Sequence, residues 1–120
     1  MATIKLVKGE DRLINFTLKE TNEDGVTTYL DLTGATEIEL RMAHETSGYV
    51  SFKLSDSEVA IVDAIGGVFS VSMGDVKTAT MKVFEDQNIE VIVDIGAPSA
   101  GDRRIVQLLQ VLTVSERLFA

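Results

Sequence analysis

The fold class that the sequence predicts is an all-β antiparallel sandwich of about seven to nine strands with one short helical turn near residues 75–81. Three observations carry that expectation. Apolar residues recur at every second position along most of the chain, and clusters of Gly, Asp, Asn and Ser punctuate the runs. A length of 120 residues suits one domain, residues 1–120, large enough to bury roughly two thirds of the surface its unfolded chain exposes.

The elements can be justified in order. Ile4 and Leu6 make a short opening strand, which Lys8-Gly9-Glu10-Asp11 interrupts. Ile14, Phe16 and Leu18 alternate with Asn15, Thr17 and Lys19 in a second strand, and Asp24-Gly25 is a strong hairpin signal leading to a return strand through Tyr29 and Leu30. Asp31-Leu32-Thr33-Gly34 is a turn, since Asp and Thr can bond their own backbone and Gly tolerates positive φ. It delivers the chain into a strand with Ile38, Leu40 and Met42 on one side and Glu37, Glu39 and Arg41 on the other. Phe52 and Leu54 follow the polar stretch His44 to Gly48, and Gly66-Gly67 introduces Phe69, Val71 and Met73. Asp75 to Met81 has an acid at its start and apolar residues at helical spacing, which suits a single turn crossing between sheets. Ser55 and Glu58 have the spacing of a capping box, but β-branched Val59, Ile61 and Val62 follow at once and oppose a helix there.

The last third bears on assembly. Ile89, Val91, Val93 and Ile95 give a strand with mostly one wet face. The final strand differs, because Ile105, Leu109 and Val111 occupy one parity while Val106, Leu108, Leu112 and Val114 occupy the other. Only one face of a sandwich strand reaches the core, so the second apolar face calls for cover by another subunit or by the chain itself. The expected interface is Val106, Leu108, Leu112 and Val114 with Leu118 and Phe119 beyond them, in a homo-oligomer such as a trimer or ring; Tyr49 and Val50 are a second, weaker choice.

Composition excludes several classes. A net charge of −8, spread along the chain, repels phosphate backbones and argues against nucleic acid as a ligand. There is no cysteine for disulfides or thiolate metal sites, and no apolar run approaches the ~18 residues of a membrane span. The start, MATIKLVKGEDR, reaches charge too early for a secretory signal. No catalytic, cofactor or metal residues are expected: the single histidine, His44, has no second histidine to share a metal, no GxSxG nucleophile or phosphate-binding loop is present, and Asp24, Asp31 and Asp63 have the spacing of turn formers. Neither an enzyme nor a small-molecule substrate is expected.

One resemblance adds to these readings. Lys8-Gly9, Phe16 to Leu18, Asp24-Gly25, the segment Asp31-Leu32-Thr33-Gly34-Ala35-Thr36 and the strand Ile38-Leu40-Arg41-Met42 resemble, in order and spacing, the N-terminal immunoglobulin-like domain of tailed-bacteriophage upper baseplate proteins. The resemblance implies an immunoglobulin-like sandwich with a mechanical role. It would be a virion protein assembled in the host cytoplasm, docking on other virion proteins of the tail, baseplate, neck or capsid surface and helping to anchor or present adsorption components. Family members usually continue into a linker and a trimerising region, whereas this chain stops at Ala120, so a small structural piece is expected in place of a complete receptor-binding protein. The rival from another class is a free-standing carbohydrate or cell-surface recognition domain. Against it stand the absence of Trp and the presence of only two Tyr beside five Phe that sit mostly at core parity. An assembly chaperone or inhibitor absent from the finished particle is a third reading.

Overall fold

The computed structural model describes residues 4–96 and 103–116, and the side chains of residues 84–87 and 110–112 lie outside that description. Its elements are β1 (Ile4–Val7), β2 (Arg12–Thr17), β3 (Lys19–Thr21), β4 (Thr27–Tyr29), β5 (Ala35–Ala43), β6 (Tyr49–Lys53), β7 (Val59–Asp63), β8 (Val68–Met73), α1 (Asp75–Thr78), β9 (Phe84–Ile95) and β10 (Arg103–Ser115). A five-stranded sheet ordered β1-β10-β9-β5-β6 faces a three-stranded sheet ordered β2-β8-β7, and β3-β4 form a separate hairpin. The protein is therefore an all-β sandwich. Its strand order matches the G-F-C-C′ and B-E-D sheets of an immunoglobulin-like fold, with β3-β4 inserted between the strands in the B and C positions.

Two details refine the expected pattern. Ten strands occur among the described residues because the second alternating run is divided: β2 pairs with β8 while β3 pairs with β4. Leu18 is the division, its N–H donating to Gly67 O at 2.9 Å and its carbonyl accepting from Leu30 N at 2.9 Å. The sandwich is also not wholly antiparallel, since β1 lies parallel to β10, Leu6 beside Val114. The chain leaves β1 through Lys8 to Asp11 and crosses to the other sheet, so the polar break seen in the sequence is a change of sheet.

The core follows the alternation. Ile14 and Phe16 of β2 and Phe69, Val71 and Met73 of β8 meet Ile38, Leu40 and Met42 of β5, Phe52 of β6 and Ile89, Val91 and Val93 of β9 in one buried cluster. Phe16 and Phe69 stack with centroids 5.5 Å apart. Each such side chain contributes about 1.5–3 kcal/mol by leaving water. The DLTG turn belongs to this core: Leu30 and Leu32 are fully buried on either side of Asp31, whose Oδ1 accepts from Thr33 N at 2.9 Å. The Thr33 hydrogen bonding holds the Asp31 carboxyl below its ordinary value. Gly34 takes φ +79°, which turns the chain into β5.

Gly67 is a tighter case. It has φ +69°, and a Cβ there would sit 2.6 Å from Leu18 O and 2.8 Å from Leu30 O, so the backbone knot that divides β2 from β3 needs glycine. The helical turn is α1, four residues long, with Asp75 N donating to Asp11 Oδ1 at 2.7 Å and the buried Thr78 hydroxyl donating to Glu10 O at 2.8 Å. It ties the crossing between sheets to the β1-β2 turn. Residues 54–58 form turns, with Ser57 at φ 60°, and Glu58 bonds Lys77 and Lys53 N in place of a helix cap.

Candidate docking face

β5, β9 and β10 each send alternate residues away from the core, and their register lays these out in rows on the outer face of the five-stranded sheet. Arg104, Asp94 and Glu37 make one row across β10, β9 and β5, Val106, Ile92 and Glu39 the next, and Leu108, Glu90 and Arg41 the third, β9 supplying the middle member of each. Val106 is 55% exposed and Leu108 68%, large apolar side chains on β10, which has β1 on one side and β9 on the other.

The charges around them are paired. Arg104 forks onto Asp94 at 2.6 and 3.0 Å, and this bonding holds the Asp94 carboxyl below its ordinary value although partial burial opposes it. Arg41 forks onto Glu39 at 2.9 and 3.1 Å, reaches Glu90 at 3.6 Å, and lies 4.4 Å above the ring of Tyr49. The Glu39 bonds raise the Arg41 guanidinium pKa further, so it stays charged. Arg41, Tyr49, Asn88, Glu90 and Leu108 line a shallow depression of about 300 Å³ beside the exposed apolar pair. Bidentate pairs and cation–π stacking hold long side chains in fixed geometry, which lowers the ordering cost of a contact made on them.

The expected interface residues divide on inspection. Val106 and Leu108 share the outer face, but Val114 is 1% exposed and belongs to the core against Leu6. The cause is the register shift between Leu109 and Leu112, where β10 has one residue more than β9: an extra residue in a strand reverses which parity faces inward, and the second shift, between Leu112 and Val114, adds its residue to β9 and leaves the new parity of β10 in place. Part of the apparent second apolar face is thus covered within the chain. Leu112 is described in its backbone only, and Leu118 and Phe119 lie outside the described residues. Of the second choice, Tyr49 is exposed on this same face while Val50 is buried at 5% exposure, because adjacent strand residues point oppositely.

The residues weighed for chemistry stay apart. Asp31 caps Thr33, Asp63 Oδ1 accepts from Gly66 N at 3.1 Å, and Asp24 sits in the β3-β4 turn organised by Asn22 Oδ1. His44 Nδ1 is engaged by Thr46 N at 3.1 Å. No group of three potential metal-ligating side chains occurs among the described residues. Sequence reasoning missed the Arg41-Tyr49 stack and the Glu90 contact. The alternation Glu39-Leu40-Arg41 placed Glu39 and Arg41 on one face, but joining them to Tyr49 and Glu90 requires knowing that β5 is flanked by β6 and β9.

Comparison with known proteins finds no matching family model and no matching characterised protein.

Proposed function

We propose that this protein is a non-enzymatic structural component of a bacteriophage virion, a small rigid sandwich that docks on neighbouring proteins of the tail or baseplate, or of the neck or capsid surface, and helps anchor or present adsorption components. The observation that carries the docking role is the exposed pair Val106 and Leu108 on a sheet face whose surrounding arginines are already held in place. Flat, pre-ordered faces with aromatic and Arg anchors are what protein partners use. The virion setting rests on the resemblance of the DLTGAT segment and its flanking strands. A glycan-binding role has less support: each tyrosine already has a cation over its ring, Arg41 at 4.4 Å from Tyr49 and Lys19 at 5.4 Å from Tyr29, where a sugar would have to stack.

The test is quantitative mass spectrometry of gradient-purified particles released from cells whose genome encodes the chain. The expected result is its presence at a fixed ratio to the tail proteins. Particles that lack it, while the chain is abundant in the lysate, would overturn the virion reading and favour an assembly factor.

A further inference from the structure

We infer that Asp24 is a site of spontaneous covalent modification, the conversion of its peptide linkage to isoaspartate through a succinimide, and that Asn22 sets the rate. The inference stands apart from the docking role and from the particle the protein belongs to.

The chemistry needs a carboxyl group on Cβ, a following residue whose nitrogen can reach it, and water. The Gly25 nitrogen attacks Asp24 Cγ in its carboxylic acid form. The new N–C bond replaces the C–OH bond, and the hydroxyl leaves as water with the amide proton. Water then adds to the ring carbonyl that was the Asp24 main-chain carbonyl and breaks its bond to nitrogen. The chain now runs through Cγ, with one more carbon in its backbone and no change in mass. No oxidant, cofactor or second substrate enters the balance.

The structure singles out this aspartate. Asp11, Asp31, Asp63 and Asp94 hold their carboxylates in hydrogen bonds from Asp75 N, Thr33 N, Gly66 N and Arg104. Among the described residues that leaves Asp24, Asp56 and Asp75 with no side-chain hydrogen bond or ion pair. Asp56 precedes Ser57 and Asp75 precedes β-branched Val76, side chains that crowd the attacking nitrogen, whereas Asp24 precedes glycine. The asparagines Asn15, Asn22 and Asn88 are likewise followed by residues with side chains. Residues 21–29 are all exposed, and β3 and β4 are three residues each and pair only with one another. So short a hairpin opens at its tip far below the free energy of global unfolding.

Asn22 is what restrains it. Its Oδ1 accepts from Asp24 N and from Val26 N, each at 3.0 Å, and its carbonyl accepts from Gly25 N at 3.0 Å. The nucleophilic nitrogen is held to Asn22, and reaction waits for the turn to open.

The experiment incubates the full native chain, Asn22→Ala and Asp24→Glu in warm, mildly acidic buffer below their melting transitions. Isoaspartate is labelled with an isoaspartyl carboxyl methyltransferase and a radioactive methyl donor, then located by proteolysis and fragment mass spectrometry. The expected result is label at Asp24 in the native chain. Asn22→Ala gains it about five-fold faster or more, the change in open population when one hydrogen bond of ordinary net strength is lost. Asp24→Glu gains none at this position, because its imide would need a larger ring. Should Asn22→Ala melt below the incubation temperature, Thr27→Val takes its place with the same expected direction, since it removes only the hydroxyl bond to Thr21 at 2.8 Å. A native chain that gains no label at Asp24 overturns the inference. So does label that accumulates as fast at another described aspartate or asparagine, or a rate that loosening the turn leaves unchanged.

Discussion

The outer faces of the two sheets make opposite use of the same alternation. On the three-stranded sheet the outward positions of β2, β8 and β7 include Asn15, Thr17, Ser70, Ser72 and Ala60, small or polar, with Leu13 and Val62 as exposed large apolar exceptions. On the five-stranded sheet they hold Val106, Leu108, Ile92 and Tyr49 among bidentate ion pairs. Inner faces are alike, because both sheets share one core. The difference teaches that burial fixes what a strand shows inward and leaves its outward residues free to serve something else. The five-stranded sheet sets its large outward side chains among fixed ion pairs, whereas the smaller sheet exposes Leu13 and Val62 among small and polar ones.

The largest expected effect tests the shared side of that comparison. Phe69→Ala, on the inner face of the smaller sheet, is expected to cost about 3–5 kcal/mol by lost burial and a cavity against Phe16, read as a lower denaturant midpoint with unchanged slope. A cost near zero would show that the smaller sheet does not share the core.

Next in size is Gly67→Ala. Positive φ and the approach to Leu18 O predict a loss of at least ~1–3 kcal/mol, and amide exchange should quicken first around Leu18 and Leu30, where the knot loosens. Native-like protection at both amides would mean that the knot tolerates a side chain.

Smaller still, and sharper for the comparison, Leu108→Glu and Leu13→Glu should each change the stability of the isolated chain by no more than about 0.5 kcal/mol, since both side chains stand in water. Thermal melts at low concentration check this. A large loss for Leu108→Glu would mark that residue as part of the fold and remove it from the docking face.

The smallest effect concerns pH. Asp94 has its folded value lowered, first by the hydrogen bonds from Arg104, so its contribution to stability is fully present above the unfolded carboxyl value of ~3.9 and is lost as pH falls through the lower folded value. Arg104→Gln should lower stability slightly at neutral pH and leave it unchanged at pH values below the folded Asp94 value, so that the acid limb of the stability curve is flatter. An acid limb that is unaltered would show that the pair is not held in solution.

Much of the sandwich was legible residue by residue. Strand parity in β2, β5, β8 and β9, the Asp24-Gly25 turn, the DLTG turn and the short helix all depend on groups within a few residues of one another, and local chemistry acts at that range. Legibility failed in β10. Counting by twos assumed one continuous parity, and the extra residue that β10 carries between Leu109 and Leu112 in its pairing with β9 moved Val114 into the core. The docking face was half visible for the same reason: Val106 and Leu108 could be seen to oppose Ile105 and Leu109, with Arg104 two residues away, but Arg41 and Tyr49 arrive from strands distant in the chain.

The sequence by itself determined that this chain makes alternating strands joined by tight turns around one apolar core, because alternation and turn propensity are properties of neighbouring residues. Only the tertiary structure decided that β1 runs parallel to β10, that β2 and β3 part company at Leu18, and that Arg41, Glu39, Glu90 and Tyr49 meet on one face. Those are choices of partner and register between segments far apart along the chain, set by how the whole core closes and by where a bulge adds a residue.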